Sequence, residues 1–338
     1  MWYPATPDDT AERADYVPAA WRPTADFLGI DLAGARTHAI AAAPMVEERS
    51  DYPVLILSPS GFPPLYLAAI AEELASTGYV VVGVNHTYET GVTAFSDGRV
   101  VPMNPDAIGG ALGPQVGQYD EVFRQRDAVC RFKAADLRSV ADYLERLEPH
   151  PTGLSAERLD LARLGAFGHS FGGNAAMEWC RTDPRCRAAA NMDGAIWTDV
   201  NALDLQRPVL QLLAEHPEFA MTGSQAVAAG LSTDVSWYEA EKALTLGGWR
   251  TVHQLEPART MQITGASHMS FMDIPFLPLR ADSPAKAMLA ATRIDPRRMW
   301  AISSDVLRRF FGQHLDGVDA RALDDLPADY PEITLGPP

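Results

Sequence analysis

The chain has 338 residues, 47% hydrophobic, 9% aromatic and 21% charged, enough apolar material for one large core plus insertions and too much for an intrinsically disordered chain. Its 28 Lys plus Arg against 44 Asp plus Glu give a formal net charge of −16, which on average repels nucleic-acid phosphates and anionic lipid but leaves neutral or zwitterionic interfaces open. No apolar run approaches the roughly 18 residues that cross a bilayer, so a soluble chain without an integral membrane segment is expected.

Met1-Trp2-Tyr3-Pro4 is followed by Asp8, Asp9 and Glu12, with neither the basic region nor the apolar core of an export signal. The expected location is cytoplasmic as the sequence stands, or secreted if a signal was trimmed. Short apolar runs then alternate with helix-patterned segments, the signature of parallel strands joined by crossover helices. The runs are Val54 to Ser58, Tyr79 to Val84, Arg163 to Phe167, Arg187 to Met192, Pro208 to Leu213 and Met261 to Thr264. Leu67, Ile70 and Leu74 space a helix between the first two. Val129, Phe132, Leu137, Val140, Leu144 and Leu147 trace one face of a long helix before the third, and Met299 to Phe311 keep a helical period that packs a C-terminal helix on the sheet.

Two stretches interrupt this alternation. Residues 86–118, with Asn104-Pro105 and Gly109-Gly110 as breakers, read as a long loop over one end of the sheet, where His86 either lines a pocket or caps a turn. Residues 218–259 read as a cap or lid insertion, with Trp237, Tyr238 and Trp249 as pocket walls or as anchors of a surface subdomain. No repeat or linker divides residues 1–338, so one domain is expected. Cys130, Cys180 and Cys186 are too few for a disulfide framework; Cys180 and Cys186 either pair or stay as buried thiols. No C-x-x-C is present, and no metal or dissociable cofactor is expected.

Gly168-His169-Ser170-Phe171-Gly172-Gly173 matches G-x-S-x-G between the apolar strand ending at Phe167 and the helix-compatible Asn174 to Cys180, the strand, sharp turn and helix that this motif requires. The glycines suit a nucleophile on a strained turn where helix and strand approach closely. Ser170 is therefore the candidate nucleophile, while His169 reads as a packed side chain. A serine hydroxyl needs a base and an acid that orients the base, and after such a turn they follow in the order Ser, Asp or Glu, His. His268, just past the strand Met261 to Thr264, is the candidate base. Asp193 and Glu215 each follow a strand, and spacing alone does not choose between them. The oxyanion donors are expected to be the backbone N–H of Phe171 and one from Ser60, Gly61 or Phe62, with Phe62 favoured, because Pro59, Pro63 and Pro64 have none.

With these residues in place, the chain resembles the plasma-type platelet-activating-factor acetylhydrolases among the α/β-hydrolases, and their bacterial esterase and lipase relatives. The likeness runs through Trp2-Tyr3-Pro4, Glu73 to Tyr79, Val84-Asn85-His86-Thr87-Tyr88, the Gly168 to Gly173 motif, Met192-Asp193-Gly194 and His268 to Asp273. It implies an α/β-hydrolase fold, a mostly parallel sheet flanked by helices with cap insertions, and it selects Asp193 over Glu215, which then reads as structural. The implied activity is that of a serine carboxylic-ester hydrolase, forming an acyl-enzyme on short to medium acyl esters, with a small-molecule ester, a lipid or a polyester as substrate. The competing uses are the same triad on a lactone, thioester or amide or in acyl transfer, and a non-catalytic binding module on the same fold.

Overall fold

A computed structural model describes the chain except residues 7–9, 34, 48, 96, 105, 107–118, 199–204 and 320. Each apolar run forms a strand: β3 (Tyr52–Ser58), β4 (Val80–Gly83), β7 (Leu159–His169), β8 (Cys186–Met192), β9 (Val209–Ala214) and β10 (Ala258–Ile263). With β11 (Ile333–Leu335) they make a seven-stranded sheet in the order β11-β10-β9-β8-β7-β3-β4, parallel except for β11. Trp2 bridges Val81 beyond β4 in the antiparallel sense.

Because successive strand side chains point to opposite faces, each strand feeds two cores. Leu55, Leu57, Phe167, Ala190 and Leu212 pack on one face with α1 (Arg22–Leu28), α2 (Ala68–Ser76) and the C-terminal helix Pro296–Leu315, which buries Met299, Ile302, Val306, Phe310 and Phe311. Val54, Ile56, Ala166, Ala189 and Leu213 pack on the other with α3 (Tyr119–Leu144) and α4 (Phe171–Thr182). The chain winds outward from β3 to β4, then returns to β7 and winds the other way. The C-terminal ends of β3 and β7 therefore meet at a switch point, where such sheets open a crevice for ligands.

Like β11, four other short strands had no apolar run to announce them: the pair β1 (Arg13–Asp15) and β2 (Arg36–Ile40), and the hairpin β5 (Val92–Ala94) and β6 (Val100–Pro102). That hairpin lies within the expected loop 86–118, of which 107–118 fall outside the described residues. The stretch 218–259, expected as a cap, carries the short helix α5 (Gly223–Ala228). Its long helix α6 (Val235–His253) ends as an ordinary crossover, with Trp249 and Val252 buried in the core beside Val209, Leu213 and Ala258. Cys180 and Cys186 form a disulfide, and Cys130 is a buried free thiol. No helix among the described residues is long and apolar enough to cross a membrane.

Candidate active site

The chain leaves β7 at His169 and enters α4 through Ser170, which has φ 58° and ψ −126°. A non-glycine residue held there costs of order 1–3 kcal/mol, so the surroundings must enforce it. Ser170 N–H donates to Met192 O of β8 at 2.9 Å, and Ser170 O accepts from Gly173 N–H at 3.0 Å. Close packing does the rest. A Cβ on Gly172 would stand 1.9 Å from Ser58 O, and one on Gly168 2.3 Å from the same oxygen. The turn thus places a part-exposed serine at the positive end of a helix whose first N–H, that of Phe171, has no intrahelical acceptor.

Asp193 follows β8 directly and is itself at positive φ, 56°. Its buried carboxylate accepts from His268 Nδ1 on Oδ2 at 2.7 Å, and from Ala214 N–H at 2.8 Å and His216 Nε2 at 2.9 Å on Oδ1. Burial alone would raise this carboxyl, but the two facing imidazoles hold it well below the usual carboxylate range. Glu215, the other candidate acid, accepts from Gly265 N–H at 2.7 Å and pairs with Arg293 at 2.6 Å. It fastens the turn that leads to His268.

His268 opens a short 3-10 turn whose entry is closed by Ser267 and Ser270, and its side chain is 41% exposed. His169, beside Ser170 in sequence, donates from Nε2 to His268 O at 2.8 Å, and the two rings lie 4.4 Å apart. Burial, then the neighbouring His268, lowers His169 to about 3, so it is a neutral packed strut that brings His268 to the nucleophile turn. The hydrogen bonds of His268 run to Asp193 and His169, not to Ser170. Such nucleophile–base contacts are commonly open in substrate-free sites and close in the complex.

The second expected oxyanion donor, Phe62, lies in the loop after β3, where Gly61 has φ +66° and the Phe62 ring stands edge-on to Tyr66 at 5.9 Å. Two polar groups on α3, Lys133 buried and Asp136 half-buried, pin the root of this loop. Lys133, 1% exposed, donates from Nζ to Pro59 O at 2.9 Å and pairs with Glu89. Asp136 accepts from His86 Nδ1 at 2.8 Å, and His86 Nε2 meets Ser58 Oγ at 2.9 Å. His86 is therefore a wholly buried brace under β3, which corrects the pocket-wall alternative.

The three aromatic candidates are also buried. Trp249 donates from Nε1 to Gly194 O, and the Tyr238 hydroxyl donates to Glu218 O, so both act as scaffold. Trp237 forms the inner end of an aromatic row that sequence spacing did not reveal. Phe171 stacks with Trp197 at 6.1 Å, Trp197 with Phe123 at 6.0 Å and Phe123 with Trp237 at 5.7 Å. The Arg126 guanidinium lies 4.4 Å over Trp197. Phe171, Trp197 and Phe123 are part-exposed, so this row is an apolar surface that begins beside Ser170. A groove of about 830 Å³ lined by Tyr16, Glu72, Asp273 and Trp300 belongs to α2 and contains none of the site residues. Among the described residues, no group of three or more His, Cys, Asp or Glu is arranged to hold a metal ion.

Comparison with known proteins bears on this arrangement. No protein-family model matches the chain. A probable 1-alkyl-2-acetylglycerophosphocholine esterase of Arthroderma benhamiae is 26% identical over 235 residues, 66% of this chain, and the match spans about half, 49%, of that relative. The solved ferulic acid esterase of Streptomyces cinnamoneus superposes with a TM-score of 0.67 at 31% identity, covering 98% of this chain and 86% of that one.

Proposed function

The chain belongs to the esterases of the α/β-hydrolase fold, and from that membership we propose that Ser170, His268 and Asp193 form its catalytic triad and pass the acyl group of an ester through Ser170. The observation that carries this reading is the 2.7 Å bond from His268 Nδ1 to a buried, ionised Asp193, beside a serine forced into positive φ at a helix N-terminus. Asp193 fixes the tautomer that leaves His268 Nε2 free to take the Ser170 proton. Ser170 Oγ attacks the carbonyl, the N–H groups of Phe171 and Phe62 hold the oxyanion, and His268 protonates the departing alcohol. Water then releases the acid by the same route.

We assign the acyl side of the substrate to the row Phe171, Trp197 and Phe123, which favours flat or aromatic acyl groups, the class named for the Streptomyces cinnamoneus enzyme, over long flexible chains. The Cys180–Cys186 disulfide supports an oxidising compartment. The test is an ester panel of p-nitrophenyl acetate, butyrate and octanoate with methyl ferulate, run on wild type, Ser170→Ala and Trp197→Ala. Ser170→Ala is expected to lose hydrolysis and fluorophosphonate labelling. Trp197→Ala is expected to lose about fivefold in kcat/KM on methyl ferulate, roughly 1 kcal/mol of ring contact, with acetate nearly unchanged. Hydrolysis surviving in Ser170→Ala overturns the triad; equal losses on both esters overturn the aromatic acyl site.

A further inference from the structure

Asp193 serves two imidazoles, and only one of them is placed to act on the nucleophile. His268 occupies Oδ2, while His216, two residues past β9, reaches Oδ1 through Nε2 at 2.9 Å. The other nitrogen of His216, Nδ1, faces Glu218 Oε1 at 2.8 Å. An ionised carboxylate only accepts hydrogen bonds, so a ring with a carboxylate oxygen at each nitrogen satisfies both only when doubly protonated. The ring cannot easily turn away from this pairing. Phe219 stacks on it at 5.1 Å and Trp249 lies 5.2 Å from it, with Trp249 itself tied to Gly194 O beside Asp193. Burial opposes a charge here, yet Asp193 and then Glu218 raise His216 to about 10.

Resting on the triad reading above, we propose that His216 is a positioning residue: a permanent imidazolium that shares Asp193 with His268 and holds that carboxylate in register. The groups that matter are few. Asp193 and Glu218 face the ring directly, and His268 lies across Asp193. From α6, Tyr238 donates its hydroxyl to Glu218 O, and Lys242 sits farther out, on Met221 O and Glu239. The His216 charge offsets that of Asp193, and the Glu218 charge partly offsets that of His216. Removing the His216 charge should therefore move the acid limb of the activity profile to higher pH, and removing the Glu218 charge should do the reverse.

The experiment measures kcat/KM for p-nitrophenyl butyrate between about pH 5 and 9 on the full chain as wild type, His216→Gln and Glu218→Gln, normalised to Ser170 labelled by a fluorophosphonate. The acid limb is expected to rise by about one unit in His216→Gln and to fall by a smaller amount in Glu218→Gln. A merely structural role lowers the plateau or the melting temperature in both variants without moving the limbs apart; limbs within roughly 0.2 units of wild type overturn the proposal. If His216→Gln does not fold, nitrogen NMR of histidine-labelled wild type decides: both His216 nitrogens protonated at about pH 8 support it, and a neutral tautomer overturns it. Hydrolysis that persists in Ser170→Ala is a separate result, which removes the triad reading and this proposal together.

Discussion

Asp193→Asn tests the assignment of the acid most directly, because the structure states what the amide would meet. The carboxylate accepts three hydrogen bonds, from Ala214 N–H and His216 on Oδ1 and from His268 on Oδ2. An amide has one acceptor oxygen and one NH2 donor, and with Ala214 and His216 both donating on the Oδ1 side, the oxygen stays there. The NH2 then faces His268 Nδ1, which can accept only by moving its proton to Nε2, the atom that must receive the Ser170 proton. In triads of this kind the wrong tautomer costs about 10⁴ in kcat, roughly 5.5 kcal/mol at 1.36 kcal/mol per tenfold. Folding also suffers, since His216 keeps its charge but loses one of two carboxylate partners. Breaking a buried pair costs about 3–5 kcal/mol, and with Glu218 retained the lower end applies, which lowers Tm by about 4 °C for a chain of this size. The comparator is Glu215→Gln, which keeps an acceptor for Gly265 N–H and loses only a half-exposed ion pair with Arg293, worth about 1 kcal/mol or less. Hydrolysis of p-nitrophenyl butyrate, normalised to fluorophosphonate-reactive serine, is expected to fall about 10⁴-fold in Asp193→Asn and less than about threefold in Glu215→Gln. A folded Asp193→Asn within tenfold of wild type would falsify this account, as would an equal loss in Glu215→Gln at unchanged Tm.

Three other outcomes follow from buried groups. Lys133→Met leaves Glu89 buried without its partner and should cost about 3–5 kcal/mol in urea unfolding; adding Glu89→Gln should recover most of that stability but not kcat, because Pro59 O stays unanchored. Recovery of both would show that Lys133 has no part in holding the oxyanion loop. Gly172→Ala drives a Cβ to 1.9 Å from the Ser58 carbonyl and should yield little soluble folded protein, so a variant with wild-type Tm contradicts the turn geometry. Burial, opposed by the Ala69 N–H and Tyr16 hydroxyl bonds, pushes the Asp273 carboxyl up to about 7. The folded state therefore keeps a proton that the unfolded chain releases near 3.9; this contribution to stability is full below about pH 3.9 and is lost as pH rises towards 7. Asp273→Asn should remove that decline from a Tm-against-pH series, and an unchanged slope refutes it.

The six main strands could be read because each buries both faces, which demands an almost continuous apolar run such as Tyr52–Ser58. The strand-end positions of Ser170 and His268 were readable for a related reason, since a strand end followed by glycines or a tight turn marks the edge where loops emerge. The short antiparallel strands were not readable. β1, β2 and β11 hold three to five residues, are half exposed, and owe their pairing to partners far away in the chain. The roles of His86, Lys133 and His216 were hidden for another reason: each is defined by a carboxylate that only the packed fold brings near, Asp136, Glu89, and Asp193 with Glu218. Trp237 and Trp249 show the limit of composition. An aromatic residue in an insertion reads equally as wall or anchor until its burial is known.

The parts of the site are held in one frame by an extension of the sheet ladder beyond its strands. Ser170 N–H donates to Met192 O at the end of β8, Asp193 N–H to Leu212 O of β9, and Glu215 N–H to Ala266 O past β10. Each of these three residues, on leaving its strand, is thus bonded to the segment next over, and the stagger passes along the sheet from Ser170 to Asp193 to the turn before His268. Neighbouring strands lie about 4.8 Å apart, so this relay sets the spacing of the three turns by backbone geometry and leaves side-chain rotamers to finish the alignment. The two non-glycine residues of the relay at positive φ, Ser170 and Asp193, sit at its first two steps. Their strain is held by main-chain bonds to a buried sheet rather than by mobile loops, and such bonds do not depend on substrate. The bond from His268 to Asp193 is therefore built into the fold, and in the triad we propose the contact from His268 to Ser170 is the one left to form when an ester binds.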